Sequence, residues 1–395
     1  MHTEKNAEST PFALIIMMAA ACGFAVANIY YNQSMLPLFA ATFQRSTSEA
    51  GQVATITQLG YAAGLLLFVP LGDRVACKPL LLTLLAANTL TLVWLALAPT
   101  FQSLLVGSAL LGLTSVSAQI IIPAASLLAS PEQRGKVMGM LISGLSTGIL
   151  LARTLSGFVG SHAGWRSMFA VAAGLDMALF ALIALRLPAA APSSNLPYGK
   201  LMKSLWDLFC KESALRAAAG AGALTFAAFS SFWGALAFLL AQPPYRLGSD
   251  VAGMFGLAAL IGITLSTAIG GLTDRLGTRY VLLIGTLVLS FASASLWFGA
   301  SSFLLLVSAA ILIDLGNRAS LIAGQTRIYA LSTEARSRLN TVFMGSFYFG
   351  GATGSAIGAI AADHAGWHGL ALLGLLLSLA ALAVHGAFKS SEQSR

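Results

Sequence analysis

PLGDRVACK at 70–78 and GGLTDRLGTR at 270–279 follow one pattern: an Asp-Arg pair placed between two long apolar runs, with Asp73 and Asp274 displaced by 201 residues. A match at that distance raises the question of whether the rest of the chain is doubled. SHAGWRS at 161–167 returns as DHAGWHG at 363–369, displaced by 202, and SPEQR at 130–134 returns as STEAR at 332–336, again by 202. Three matches at nearly one displacement are far more specific than any one alone. The 395-residue chain therefore reads as two halves.

What lies between the motifs is written for lipid. The chain is 57% hydrophobic and 9% charged, with a mean hydropathy of +0.81, which no water-soluble globule shows. Cut into apolar runs of about 20 residues, the length that crosses about 30 Å of hydrocarbon as a helix, it yields twelve spans. They fall near 12–35, 50–71, 79–98, 101–123, 137–160, 165–187, 214–240, 251–273, 280–299, 303–326, 341–361 and 366–388. Runs this long and continuous lack the alternation of a barrel, and an open strand would strand its backbone groups in lipid, so the spans are helices. Residues 188–212 divide them six and six: PAAAPSSNLPYGK is a Pro-rich linker, and LMKSLWDLFCKE sets Leu201, Leu205, Leu208 and Phe209 against Lys200, Lys203 and Lys211, the pattern of an amphipathic helix on a membrane surface. The expected units are an N-terminal bundle over 1–187, a linker over 188–212 and a C-terminal bundle over 213–395.

The net charge of +8 follows topology. Of the Lys and Arg outside the spans, only Arg45, Arg166 and Arg246 fall on one side of the membrane and all the others on the opposite side. By the positive-inside rule both termini and the central linker are cytoplasmic, and no nucleic acid need be invoked. The polar N-terminus runs into a full-length span, so no cleavable signal peptide is expected. Three scattered cysteines, Cys22, Cys77 and Cys210, support neither a disulfide framework nor a metal site. No GxxxxGK[ST] loop is present and the loops are short, without a catalytic His, Cys or carboxylate cluster, which argues against an ATP-driven pump and against an enzyme. A channel would need a repeated filter motif, which is missing. Two parallel six-helix halves are a transporter architecture.

At these residues the sequence resembles the major facilitator superfamily of secondary transporters, over essentially its whole length. The resemblance implies an all-α membrane protein of twelve transmembrane helices in two pseudo-symmetric six-helix bundles. The Asp-Arg loops look like the family's cytoplasmic signature after spans two and eight. Asp274, Arg275, Gly277 and Arg279 fit that pattern; the first copy keeps Asp73, Arg74 and Lys78 but has Ala76 and Cys77 where glycine and a basic residue are usual. The likeness implies a gating role for Asp73, Arg74, Lys78, Asp274, Arg275 and Arg279, with topology-setting charge as the alternative. Span five resembles the family's antiporter motif, with small residues Gly139, Gly148, Ala152, Ser156 and Gly157 at its helical steps. Arg153 stands where that motif has proline, and Ser108 where relatives carry a basic residue in span four, so Arg153 is read as a substitute buried charge.

Four charged residues fall deep within the spans, away from their ends: Arg153, Asp176, Asp314 and Arg318. Each is costly in hydrocarbon unless paired or facing a wet cavity. Asp314 and Arg318, one helical turn apart in span ten, are the first candidates for proton coupling, with a permanent structural ion pair as the alternative; Arg153 and Asp176 are the further candidates, with a pair between those two as the other reading of Asp176. NIYYNQ at 28–33 breaks span one with amides and phenols, and Asn28, Tyr31 and Asn32 share a helical face with Gln33 beside it. The family's first helix lines its central cavity, so these four, with Gln58, Gln119 and Gln325, are candidate substrate ligands; interface anchoring is the other reading of the tyrosines. The aromatic run of Phe226, Phe229, Phe232 and Trp233 reads as lipid contact and packing, with a stacking platform as the alternative. The expected protein is a monomeric bacterial inner-membrane exporter that exchanges protons for a small organic molecule, with the proton gradient and no cofactor as its energy source. The cavity's amides favour a neutral polar solute such as a nucleoside or sugar. An uptake symporter, an uncoupled facilitator and a non-transporting sensor on the same fold are the alternatives.

Overall fold

The structure is a computed structural model that describes residues 12–128, 134–187, 197–299, 301–332 and 335–392. Most of the Pro-rich linker, residues 130–133 of the SPEQR motif, residues 333–334 of the STEAR motif and both chain ends, with Lys5 and Arg395, lie outside the described residues. The described residues are helical almost throughout. The first half comprises α1 (Phe12–Ala27), α2 (Tyr31–Phe43), α3 (Thr47–Arg74), α4 (Cys77–Ala96), α5 (Phe101–Thr114), α6 (Ser117–Leu128), α7 (Arg134–Ala163) and α8 (Trp165–Arg186). A surface helix α9 (Tyr198–Lys211) leads to α10 (Ser213–Ala241), α11 (Ser249–Met254), α12 (Ala259–Leu276), α13 (Thr278–Ser295), α14 (Phe303–Tyr329) and α15 (Arg336–Glu392).

These helices make twelve crossings, with breaks that the hydrophobic pattern alone does not show. The first span is two helices joined by a turn at 28–30, and the fourth breaks after Thr114, where the Thr114 and Ser115 hydroxyls bond back to the Leu110 and Leu111 carbonyls and compete with the helical ladder. The eighth is α11 and α12 joined by a 3-10 turn over Phe255–Ala258. Spans eleven and twelve run on as α15 across a kink at Gly366, whose φ of 54° lies in the left-handed region. Its repeat mate Gly164 has φ 82° and joins α7 to α8. Glycine holds that conformation without steric cost, and the tryptophan after each, Trp165 and Trp367, is buried. The repeated AGW is thus a corner between two helices and an anchor that pins it.

The repeat is also visible in packing. A methyl group on Gly144 would come within 2.3 Å of the Ala19 carbonyl oxygen and one on Gly148 within 2.1 Å of that of Gly23; in the second half Gly350 meets Ala223 and Gly354 meets Ala227 in the same way, each at 2.1 Å. With no hydrophobic drive between helices in lipid, such close backbone approach supplies the van der Waals contact that holds α1 on α7 and α10 on α15. The halves meet along two seams, α7 on α11 and α3 on α15. Each seam has a glycine contact that is the mate of one in the other: Gly157 lies against Gly253, and Ala359 against Gly51, each partner displaced by 202. Both lie near the end of the molecule opposite the Asp-Arg loops.

Candidate functional site

Arg153, on α7, is 1% exposed and is the largest fully buried side chain among the described residues. Its Nε donates to the Gln33 Oε1 on α2 at 2.9 Å. Aromatic rings cover its faces: the guanidinium carbon lies 3.9 Å from the Trp233 ring centre, 5.0 Å from Tyr30 and 5.7 Å from Phe229. Tyr30 belongs to the first half and the other two rings to α10 of the second, so the box is assembled across the interface. Each ring face stabilises a desolvated cation by about 1–2 kcal/mol. The Arg153 backbone is used as well, its carbonyl accepting from Ser34 and Ser156 at 3.1 and 3.2 Å.

Asp314 and Arg318 form an ion pair on α14, with both Nε and Nη2 donating to one carboxylate oxygen at 3.2 Å. Asp314 is 5% exposed, and the pair lies close enough to Arg153 and Tyr30 to act on both electrostatically. Around this centre the halves share a polar and aromatic seam. Gln58 on α3 donates to Ser355 on α15 at 2.9 Å and accepts from Ser230 on α10 at 3.4 Å. The Tyr30 and Tyr348 hydroxyls are 3.4 Å apart, the Tyr61 and Tyr348 ring centres 4.4 Å apart, and Gln119 lies beside the Tyr61 hydroxyl.

Several expectations are corrected. Asp176 does not pair with Arg153: it accepts from Thr89 on α4 at 3.1 Å, and its other neighbour is Asn28. The turn at 28–30 is the reason the amide face does not hold together. It puts Asn28 at the end of one helix and Asn32 on the next; Asn28 donates to Asn88, which donates to Thr114 and Ser115, while Asn32 donates to Thr57. Tyr31 turns into a separate groove of about 700 Å³ between α1 and α7. Asn28 and Asp176 therefore belong to a polar network inside the first half, and of the NIYYNQ residues Tyr30 and Gln33 reach the centre. Gln325 bonds Asn340 at 3.1 Å, and Tyr329 bonds the same oxygen, all within the second half. The aromatic run on α10 is buried rather than lipid-facing, because its rings pack on Arg153, Phe347 and Tyr348.

The two loops differ. Asp73 accepts from Ser337 at 3.3 Å, across the halves and in the first turn of α15, with Arg338 near enough to act on it; that is where a helix favours negative charge. Asp274, Arg275 and Arg279 are exposed, as is Arg74, and Lys78 is half-buried. The difference follows the backbone: Gly277 turns at φ 86°, whereas Ala76 in its place is extended at φ −58°, ψ 133°. Of the small residues on α7, Gly148 and Gly157 make close contacts, and Ala152 and Ser156 are buried. Gly139 packs against nothing within 4 Å, so it faces the α1/α7 groove and not a neighbouring helix.

Reading the sequence missed Tyr61, Tyr348 and Ser355. A tyrosine in mid-span is the signal that could have found the first two, since a phenol in lipid needs a partner.

The sequence model of the Major Facilitator Superfamily matches residues 13–275 and 247–393. The uncharacterized transporter YgaY of Escherichia coli is 43% identical over 385 residues, covering 97% of each chain. The purine ribonucleoside efflux pump NepI of Escherichia coli is 27% identical, covering 91% of this chain and 90% of its own. Among solved structures, the nucleoside transporter NupG superposes with a TM-score of 0.74 at 15% identity, covering 96% of this chain and 99% of NupG.

Proposed function

The chain is a membrane transporter that belongs to the major facilitator superfamily, and from that premise we propose that it exports a small organic molecule in exchange for protons by alternating access. The observation that carries this reading is the buried Asp314–Arg318 pair beside the interface between the halves. In this mechanism a proton taken up at Asp314 breaks its contact with Arg318, and substrate binding and release at the neighbouring seam makes and unmakes the same contact, which couples the two fluxes. The Asp73–Ser337 contact supports a gate on the face that carries most of the basic residues, which is the cytoplasmic face in our reading. In this conformation the opposite end is closed by the seams at Gly157 and Ala359. Bacterial relatives fit placement in the inner membrane, with both termini cytoplasmic. The six-helix bundles lie to either side of the 188–212 linker, each transport pathway is formed by one chain, and the protein acts as a monomer. The export function of NepI puts purine ribonucleosides in the first substrate panel.

The test uses energised inside-out vesicles with a lumenal pH dye, screening nucleosides, nucleotides, sugars, amino-acid derivatives and lipophilic cations against the wild type and Asp314→Asn. Proton release with one ligand class that disappears in Asp314→Asn is the expected outcome. Release that persists in the variant makes the ion pair a clamp and moves the proton to Asp176. Flux of a labelled ligand with no proton movement makes the protein a facilitator.

A further inference from the structure

Arg153 is left with a charge that nothing around it neutralises. Arg318 has Asp314, and Asp176 is held in another network by Thr89 and Asn28. Among the described residues no carboxylate forms an ion pair with Arg153; the groups that act on it are Tyr30, Tyr348, Asp314 and Arg318, and Asp314 is already bound to Arg318. The centre of the molecule thus carries one net positive charge, where even a paired charge is costly.

The arrangement of its contacts specifies what is missing. A guanidinium has two faces and a planar rim of five N–H donors. Here the faces are covered by Trp233, Tyr30 and Phe229, and the Nε on the rim is taken by Gln33. Nη1 and Nη2 are buried and have no hydrogen-bond partner, and the Trp233 indole nitrogen, in the same cluster, is a third buried donor without one. Two parallel N–H groups on a preoriented guanidinium are the complement of a carboxylate, phosphate or sulfonate, which they bind with bidentate geometry. The rim is sealed in this conformation, and the seal is made by residues of both halves, so the rocking that opens the centre is also what exposes the donors.

We propose that the transported molecule carries an anionic group and that Arg153 is the residue that binds it, with Gln33 and the aromatic box orienting the guanidinium for that contact. This rests on the transport reading above and replaces the neutral solute that the amides suggested. The anion supplies the charge the site lacks, and the rings hold Arg153 in place when the site is empty.

The experiment uses the full-length protein in lipid nanodiscs and two matched probe pairs, adenosine 5′-monophosphate with adenosine and benzenesulfonate with benzenesulfonamide. Affinities come from tryptophan fluorescence and from the shift in thermal midpoint. In the wild type the acidic member of a pair binds about 10- to 100-fold more tightly, the range expected for a charge-assisted bidentate contact. Arg153→Gln removes the preference while leaving the neutral member's affinity in place, and Arg153→Lys keeps part of it, which separates recognition from a folding defect. A neutral member that binds the wild type as well as its acid, a preference that survives in Arg153→Gln, or no response to either acid overturns the proposal. Acid preference without coupled proton release in the vesicle assay would sink the antiport reading and leave this one standing. Proton release driven by adenosine in both the wild type and Arg153→Gln would do the reverse.

Discussion

Two arginines lie deep within the spans, one in each half, and they are stabilised in opposite ways. Arg318 takes its partner from its own helix, a carboxylate four residues back, so the pair is written into α14 and persists however the halves move. Arg153 takes its surroundings from three segments and from both halves: Gln33 on α2, Tyr30 in the turn before it, and the α10 pair Phe229 and Trp233. Its environment is complete only while this seam is closed, Gln33 and Tyr30 staying with it in the first half. The lesson is that a locally paired charge suits a proton carrier, which must work in every conformation, whereas a charge boxed across an interface suits recognition, which must differ between conformations.

The comparison can be broken most sharply at Arg318. Arg318→Met strands a buried carboxylate, and we expect a loss of about 3–5 kcal/mol in stability, read as a lower thermal midpoint and poor yield; the double variant Asp314→Leu/Arg318→Met recovers stability but releases no protons. Next is Gly157→Leu, which has no room against Gly253. It wedges the α7/α11 seam open and should raise backbone hydrogen exchange over Ser249–Met254 by more than tenfold, with the fold retained as judged by circular dichroism. Trp233→Leu removes the ring nearest Arg153, a contact of about 1–2 kcal/mol, and should loosen the same segment by about tenfold or somewhat less. Equal exchange in Trp233→Leu and the wild type would mean that the box does not help close the seam. The smallest effects fall at the loops, where the same contrast between a bonded and an exposed group recurs. Asp73→Asn weakens a contact between the halves worth about 1 kcal/mol and should change the transport rate severalfold, whereas the exposed Asp274→Asn should stay within about twofold of the wild type.

Much of this was legible in the sequence, and for physical reasons. Spans are set by hydrocarbon thickness, the six-and-six division by the repeat, and the Asp314–Arg318 pair by a spacing of one helical turn. The AGW corners were visible as a repeat before their left-handed glycines were known. What failed were inferences that required the helix to continue or that assigned partners across helices. NIYYNQ was read as one face because the periodicity assumes an unbroken helix, and the turn at 28–30 separates Asn28 from Asn32. Asp176 was given to Arg153 by adjacency of spans, yet Thr89, on a helix distant in sequence, holds it. Trp233 looked like lipid contact because an aromatic ring in an apolar run has the same signature whether it meets an acyl chain or a guanidinium. The first Asp-Arg loop, degraded at Ala76, turned out to be the one that touches the other half.

The matched contacts at Gly157 with Gly253 and at Ala359 with Gly51 have a bearing on transport yield. Because each is the repeat mate of the other, the two occupy equivalent places on either side of the molecule, and neither can part while the other stays in contact unless a half twists out of plane. Opening that end is therefore a concerted event with one barrier, not two independent ones. A single loosened seam would let solutes slip through without turnover. Two seams that break only together keep the cycle tight, and the cost of a substitution at either one should appear first as leak and only later as lost rate.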